Sequence, residues 1–210
     1  MYNIIQLRHL RPKPKINDIS LHLLCEYYEA FLNPFIYQYE IEFANHTKKK
    51  LKLKFELENF CHLLGLESVA KNSVKSAERF QYKGKTGWNN VKTGKIDIKH
   101  LKQLNKKQFQ SVKAKQIYFY LLPQLLEKPL AVIYERSKVY PPTKIECKLL
   151  LYNTCDNVVV HLGIEETEND GEFIPRTFFV EKISESINTD IYICNQETVS
   201  IKMIEKIILL

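Results

Sequence analysis

The sequence is poor in glycine, with only 6 among 210 residues, and it contains 12 tyrosines. No Gly-x-Gly-x-x-Gly string and no P-loop occurs, which argues against folds that cradle a nucleotide cofactor on glycine-rich turns. The metalloprotease string HExxH and the nucleophile-elbow string GxSxG are also absent. The low glycine content favours a regular fold that is rich in helices and strands.

Paired cysteines and long apolar runs are missing as well. The 5 cysteines form no CxxC pair, and their odd number rules out a complete disulfide framework, so we expect reduced thiols and a cytoplasmic protein. No signal peptide and no apolar run of membrane-spanning length is present. The 6 histidines are scattered without zinc-finger spacing, and the sequence therefore predicts no metal site and no cofactor.

Positive charge is abundant. The net charge is +7 and the pI is about 9.0, which favours anionic partners such as nucleic acid, phosphates or an acidic protein. A lysine-rich composition also arises from AT-rich genomes whatever the function. The 45% hydrophobic and 11% aromatic content is sufficient for a folded core.

The pattern along the chain predicts a basic N-terminal arm over 1–17 and a single α+β domain over 18–210. Two long helices are expected, from Asp18 or Ser20 to Leu32 and from Lys106 to Glu127, the second bent by Pro123. The final third predicts an antiparallel β-meander, because short links separate its candidate strands. These strands are Pro129–Glu135, Lys144–Tyr152, Val158–Ile164, Arg176–Ile183, Ile191–Cys194 and Val199–Ile207.

A β-hairpin is predicted over residues 36–55, where apolar and polar residues alternate on both sides of a polar turn. Its second strand should turn Leu51, Leu53 and Phe55 inward and expose three lysines, which are Lys50, Lys52 and Lys54. These lysines resemble a nucleic-acid stripe. Glutamates on the first strand could instead neutralise them across the hairpin, and the pattern leaves both interpretations open.

A short amphipathic helix follows the hairpin and ends at Gly65, which is placed as a C-terminal cap. At helical spacing its apolar residues share one side, and His62 falls away from them. A histidine facing a cleft beside basic residues suggests acid–base chemistry on a phosphate, because its ordinary pKa lies near neutrality. A surface or structural histidine is the alternative.

Residues 67–98 are expected to form an irregular basic insertion. Cations interleaved with aromatic rings are typical of nucleic-acid surfaces, where they meet phosphates and bases. A mobile, solvated loop would have the same composition. The candidate RNA-binding residues are Lys71, Lys75, Arg79, Lys83, Lys85 and Trp88.

Two strings together resemble the phage-borne barnase–EndoU–colicin–RelE-like nucleases. They are Phe55-x4-Phe60-x-His62-Leu63-Leu64-Gly65-Leu66 and, on a C-terminal strand, Pro175-Arg176-Thr177-Phe178-Phe179. The resemblance covers roughly Tyr27 to Ile207. It implies a small-RNase fold in which N-terminal helices and the hairpin pack with an antiparallel sheet, and it implies RNA cleavage.

The resemblance also assigns roles. His62 and Thr177 fall on the family histidine and threonine, Lys115 is the nearest equivalent of a basic helix residue, and Arg176 adds a cation beside Thr177. A surface lysine and an ordinary strand threonine are the plainer alternatives. The family often continues "G-L-H-K-L", whereas Glu67 and Ser68 stand here, and this departure bears on activity.

The sequence thus predicts a metal-independent endoribonuclease, a toxin or phage-conflict effector that binds RNA and leaves a 2′,3′-cyclic phosphate. A neutralising antitoxin or immunity protein would be a partner, no membrane is involved, and the sequence leaves the oligomeric state open. Two alternatives remain: a non-catalytic RNA- or protein-binding module on the same fold, and a phage assembly or inhibitor protein that binds an acidic patch.

Overall fold

The computed structural model of the chain describes residues 2–155, 157–183 and 191–209. Its contacts group into two compact units, where the sequence predicted one domain over 18–210. The first unit combines the residues up to 33 with residues 56–121, and the second combines residues 34–55 with those from 122 onward.

The first unit is helical. Its α-helices are α1 (Ile4–Arg8), α2 (Leu21–Phe31), α3 (Asn59–Leu63), α4 (Leu66–Ala70), α5 (Gly84–Lys92), α6 (Ile98–Leu104) and α7 (Lys106–Tyr118). Short 3-10 segments cover Ile16–Asp18, Ser76–Tyr82 and Phe119–Leu121. Ser20 begins α2 as predicted, because its hydroxyl accepts a hydrogen bond from the backbone N–H of Leu23 at 2.9 Å.

The prediction of an extended arm over 1–17 is wrong for its first part. Asn3 and Gln6 form a reciprocal capping box that begins α1, with hydrogen bonds of 2.8 and 3.0 Å. Leu7 is fully buried and the guanidinium of Arg8 lies 5.9 Å from the ring centre of Phe31. The arm therefore packs on its own unit.

The irregular insertion predicted over 67–98 is also wrong, because this stretch is largely helical and belongs to an aromatic core. Trp88 on α5 is only 2% exposed, and its ring meets Phe60 edge-on at 4.8 Å between centroids. Tyr28 lies 5.7 Å from Trp88 and donates a hydrogen bond of 2.6 Å to the carbonyl of Glu56. Rings at these distances stabilise a core beyond their buried area.

The second unit is a closed seven-stranded barrel with one helix. Its strands are β1 (Phe35–Glu42), β2 (Lys48–Lys54), β3 (Leu130–Ile133), β4 (Leu149–Cys155), β5 (Val158–Glu166), β6 (Glu172–Lys182) and β7 (Glu197–Ile208). Helix α8 (Leu122–Glu127) precedes β3, and a 3-10 segment covers Arg136–Lys138. The break between α7 and α8 falls just before Pro123, as the predicted bend required.

The strand order around the barrel is β1-β2-β6-β5-β4-β3-β7, with β7 returning to β1. Strands β3 to β6 form the predicted antiparallel meander. The hairpin of β1 and β2 completes the barrel between β6 and β7, and its junction with β6 is the parallel one. The strand predicted over Ile191–Cys194 is wrong, because these residues form turns.

The hairpin is confirmed. Leu51, Leu53 and Phe55 are buried, whereas Lys50, Lys52 and Lys54 are exposed. Neutralisation of the stripe by glutamates was one of the two open interpretations. The glutamates of β1 pair with another lysine, since Nζ of Lys48 lies 3.0 Å from Glu40 and 3.6 Å from Glu42. No helix in the described part of the chain is long and apolar enough to cross a membrane.

A fully buried histidine lies in the wall of the barrel. The ring of His161 on β5 stacks parallel to that of its cross-strand partner Phe179, with 4.4 Å between the ring centroids. The ring centroid of Tyr192 lies 5.9 Å from that of His161. Burial lowers the pKa of His161 to about 3, because the imidazolium would lose its hydration. Oε2 of Glu181 lies 3.3 Å from Nε2 of His161 and favours the charged ring, but burial is the larger effect and favours the neutral form.

We expect the free energy of unfolding to decrease as the pH falls from about 6.5 toward 3. The unfolded chain protonates His161 over this range and the folded chain does not, so the slope contributed is at most about 1.4 kcal/mol per pH unit. Urea titrations of the wild type and of His161→Phe at several pH values would measure the difference in stability between them. A difference that stays constant with pH would contradict the assignment.

Candidate functional site

The string that contains His62 and Gly65 forms a sharp junction between two short helices. Helix α3 ends at Leu63, Leu64 follows as its C-cap, and Gly65 adopts φ 73° and ψ 22° in the left-handed region. The N–H of Gly65 donates to the carbonyl of His62 at 3.0 Å, and α4 begins at the next residue. The prediction that Gly65 caps the helix is confirmed, and we call residues 62–67 the helix junction.

The helix junction presses directly on α7. A Cβ at Gly65 would lie 2.7 Å from the Cγ1 atom of Val112 and 3.6 Å from Cδ of Lys115. Only glycine therefore meets both requirements at this position, the left-handed backbone and the close approach. The contact also brings the hydrocarbon stem of Lys115 against the residue that follows the His62 turn.

His62 faces away from the core, as its helical phase predicted. Its side chain is 52% exposed, while Phe60, Cys61 and Leu63 are buried. Glu67, from the first turn of α4, places Oε2 at 3.8 Å from Nδ1 of His62. A carboxylate at this distance favours the imidazolium electrostatically and biases the ring orientation, with Nε2 as the second ring nitrogen.

Lys115 lies in the last turn of α7 and is largely buried. Removal from water lowers the pKa of its ammonium to about 8, and no other cause of comparable size acts on it. A desolvated ammonium gains more from an anion than an exposed one does, because less water must be displaced when the anion arrives. Lys115 is therefore suited to bind phosphate or to exchange a proton near neutrality.

In the second unit, Arg176 is the extra residue of a β-bulge. Gly163 pairs with Thr177 and Ile164 pairs with Pro175, so Arg176 has no partner on β5. Bulges redirect side chains and are frequent beside active sites. Arg176 is exposed and lines an open cavity of about 530 Å³ with Tyr134, Arg136, Glu146, Cys147 and Glu165.

Thr177 is half-buried and packs against its cross-strand partner on β5. Its methyl carbon covers Gly163, where an added Cβ would lie 2.7 Å from it, and Cys147 fills the rest of the same space. Burial raises the pKa of the Cys147 thiol to about 12, so this cysteine stays protonated near neutral pH. Packing explains a β-branched residue at position 177, and a role toward phosphate stays a prediction.

The predicted residues thus fall into separate places. His62 and Lys115 belong to the helix junction and its contact with α7 in the first unit, whereas Arg176 and Thr177 lie in the second unit. Lys71, Lys75, Lys83 and Lys85 are exposed and Arg79 is half-buried. The prediction that Trp88 stacks on a base is wrong, because its ring is enclosed in the aromatic core.

Three features escaped the sequence analysis. Glu67 was seen only as a departure from the family string, although its place two residues after a left-handed glycine turns it back toward His62. The bulge at Arg176 had a signal in Pro175, since proline in a sheet is confined to edges, strand starts and bulges. The cavity beside Arg176 had none, because its lining comes from distant parts of the chain.

Within residues 2–155, 157–183 and 191–209, no three side chains among histidine, cysteine, aspartate and glutamate are arranged to hold a metal ion.

A comparison with known protein families gives a match over most of the chain. The family described as phage-Barnase-EndoU-ColicinE5/D-RelE like nuclease 4 covers residues 24–208. The chain belongs to this nuclease family. The match includes the helix junction, α7 and the bulged strand β6. No curated protein and no solved structure matches the chain.

Family membership confirms the resemblance inferred from the two strings, and the α+β class is confirmed as well. The finer expectation of a barnase-like sheet stays a prediction; the described strands form a closed barrel in which the hairpin joins the meander.

We expect Gly65→Ala to destabilise the nuclease by about 2–4 kcal/mol. The left-handed backbone costs about 1 kcal/mol for alanine, and overpacking against Val112 adds about 1–3 kcal/mol. Gly94→Ala is the matched control, since Gly94 has φ 76° but nothing within 4 Å of an added Cβ. Urea denaturation measures both, and equal losses would show that the contact with Val112 contributes nothing.

We expect Lys115→Met to be more stable than the wild type at pH 7, with an advantage that shrinks from pH 8 to 10.5. The folded wild type loses the Lys115 proton near pH 8 and the unfolded chain near 10.5, so the penalty for burying the charge disappears across this window. Denaturation at pH 7, 8, 9 and 10 would test this. Titration of the buried thiols changes the free energy of unfolding of both proteins alike. The test is therefore the difference in this free energy between Lys115→Met and the wild type.

Proposed function

We propose that this nuclease is a metal-independent endoribonuclease whose acid–base residue is His62. The observation that carries the proposal is the helix junction, where an exposed histidine, a carboxylate and a desolvated lysine are held by one left-handed glycine packed on α7. Family membership supports the nuclease class. RNA as the substrate rests on the resemblance and on the net charge of +7.

The chemistry needs two proton transfers and no external reductant or oxidant. A base removes the proton of the ribose 2′-hydroxyl, and that oxygen attacks the phosphorus as the bond to the 5′-oxygen breaks. An acid gives a proton to the leaving 5′-oxygen. The products are a 2′,3′-cyclic phosphate and a 5′-hydroxyl end, and His62 would perform one of the two transfers.

Lys115 would stabilise the charge that develops on the phosphorane oxygens. Its ammonium is already desolvated, so an incoming phosphate raises its pKa and gains a stronger electrostatic contact than a hydrated lysine offers. Glu67 would orient His62 and favour its protonated form. The exposed lysines at positions 71, 75, 83 and 85, with Arg79, would bind flanking phosphates.

Arg176 and Thr177 carry the roles that the resemblance assigns to them, a cation and a hydrogen-bond donor toward phosphate. The bulge gives Arg176 freedom to leave the sheet surface and supports the first role. A toxin or phage-conflict effector, neutralised by an antitoxin or immunity protein, is the biological role that fits such an RNase.

The rival proposal is a binding module without catalysis. It draws on Glu67, which replaces a basic residue of the family string and would repel a nearby phosphate. In that case RNA or a partner protein would bind without being cleaved.

We expect His62→Ala to reduce cleavage of total RNA by about 10²–10⁴-fold, the usual contribution of a general acid or base. The fold should persist, because removal of a half-exposed side chain opens no core cavity and should change stability by about 1 kcal/mol or less. Cleavage should continue in EDTA, and end-group analysis should find a 2′,3′-cyclic phosphate.

Glu67→Gln and His22→Ala are the matched controls. The first removes the carboxylate charge beside His62 and should lower the kinetic pKa of the reaction without abolishing it. The second removes another exposed histidine and should leave cleavage unchanged. If the folded wild type binds RNA but leaves it intact, the binding module replaces the enzyme, and if His62→Ala cleaves at full rate the mechanism is wrong.

A further inference from the structure

The barrel has an internal cavity at one end that no role discussed so far uses. Its volume is about 510 Å³. Its lining residues lie near the last residues of β1 and β3 and near the first residues of β2, β4 and β6. The cavity therefore lies at one end of the barrel. Helix α8 leads into the start of β3 and therefore lies at the other end, where the hydroxyl of Tyr39 donates to the carbonyl of Leu126 at 2.7 Å.

The cavity has an apolar floor and a cationic wall. Its floor is made by Ile41, Leu51, Leu149 and Phe173, which are buried. Lys49 of β2 forms the wall, because it is the cross-strand partner of Ile41 and lies on the same face of β2 as Leu51. Lys50 and Lys52 also border the cavity, but their side chains lie on the opposite, exposed face of the strand. Within the described residues no carboxylate lies at ion-pair distance from the ammonium group of Lys49, and this leaves its charge available to a ligand.

The rim of the cavity beside β2 is held in place by hydrogen bonds. The N–H of Gly171 donates to one oxygen of Glu166 at 2.9 Å, and the other oxygen pairs with Lys148. The carbonyl of Gly171 accepts from the N–H of Lys52 at 2.8 Å. This turn is thereby fixed to β2, and the cavity is formed before any ligand binds, which lowers the entropic cost of binding.

We propose that this end of the barrel binds a small organic anion with an aliphatic body, such as a medium-chain carboxylate. The body would enter the apolar floor and the carboxylate would meet the lysine wall of β2. Pockets of about 300–1,000 Å³ are typical of small-molecule sites, and barrel ends are among their usual locations.

The lining favours such an anion over a nucleobase. The floor offers hydrocarbon and one phenyl ring, whereas recognition of a base edge needs several donors and acceptors inside the pocket. Asp170 and Glu172 also line the cavity, and Glu172 is the parallel partner of Lys52, so a polyanion would meet repulsion close to the lysines. A single anionic head can use Lys49 alone.

Isothermal titration of the full chain with sodium octanoate, nonanoate and decanoate tests the proposal. Affinity should rise roughly fourfold for each added methylene, the increment expected when a CH₂ group leaves water, until the cavity is filled. Decylammonium, which has the same body and the opposite charge, should bind at least tenfold more weakly than decanoate.

Two variants assign the site. Ile133→Trp fills the cavity and should abolish decanoate binding, while Lys49→Glu reverses the charge of the wall and should weaken decanoate binding at least tenfold. Lys182→Glu, exposed on β6 and outside the lining, is the charge-matched control and should bind normally. Thermal melts establish that each variant is folded.

Several results would overturn the proposal. They are absence of carboxylate binding at millimolar concentration, equal binding of decylammonium, and decanoate binding that survives Ile133→Trp. Displacement of decanoate by adenosine or uridine monophosphate at lower concentration would make this a nucleotide site instead. The measurement is direct binding, so it stands apart from whether the chain cleaves RNA.

Discussion

The close packing of Gly65 on Val112 is the contact on which the candidate site in the first unit depends. A left-handed residue at this point ends α3 and starts α4, and thus turns His62 and Glu67 toward each other. The absent Cβ lets α7 approach, and this approach buries Lys115. The backbone conformation of one residue therefore sets both the orientation of the histidine and the pKa of the lysine. A shared structural cause explains why these groups occur together without any sequence proximity between His62 and Lys115.

Local patterns in the sequence predicted the hairpin and α7, because strict periods of 2 and 3.6 report which face of an element is buried. Barrel closure could not be predicted in this way. It depends on the parallel junction of β2 with β6, which pairs only Lys52 with Glu172 and Leu53 with Phe173. Neither strand carries a signal for a partner more than a hundred residues away. The turn over Ile191–Cys194 was mistaken for a strand because its β-branched and aromatic residues, Ile191, Tyr192 and Ile193, are also typical of short strands.

The region around Trp88 shows how composition can mislead. Lysines alternate with aromatic residues over 67–98, and this mixture suits both a nucleic-acid surface and an amphipathic helix. On α5, Trp88 and Val91 are three residues apart and share the buried face, while the lysines occupy the other. The helical spacing of Trp88 and Val91 was present in the sequence, but the many lysines favoured a nucleic-acid surface over a buried helix face. The lysines keep their predicted exposure, and a role toward RNA needs only them.

The histidines of the described chain differ in how freely each can exchange a proton, and this difference favours His62. His161 is locked in its neutral form by burial. His100 accepts or donates a hydrogen bond of 2.9 Å to the hydroxyl of Tyr82, whose own pKa is raised mainly by burial. His46 lies in the hairpin turn beside Glu42. His62 combines exposure, a carboxylate neighbour and a junction that also holds a desolvated cation. Acid–base catalysis on a phosphate requires these properties together, because proton exchange without a cation would leave the developing negative charge unsupported.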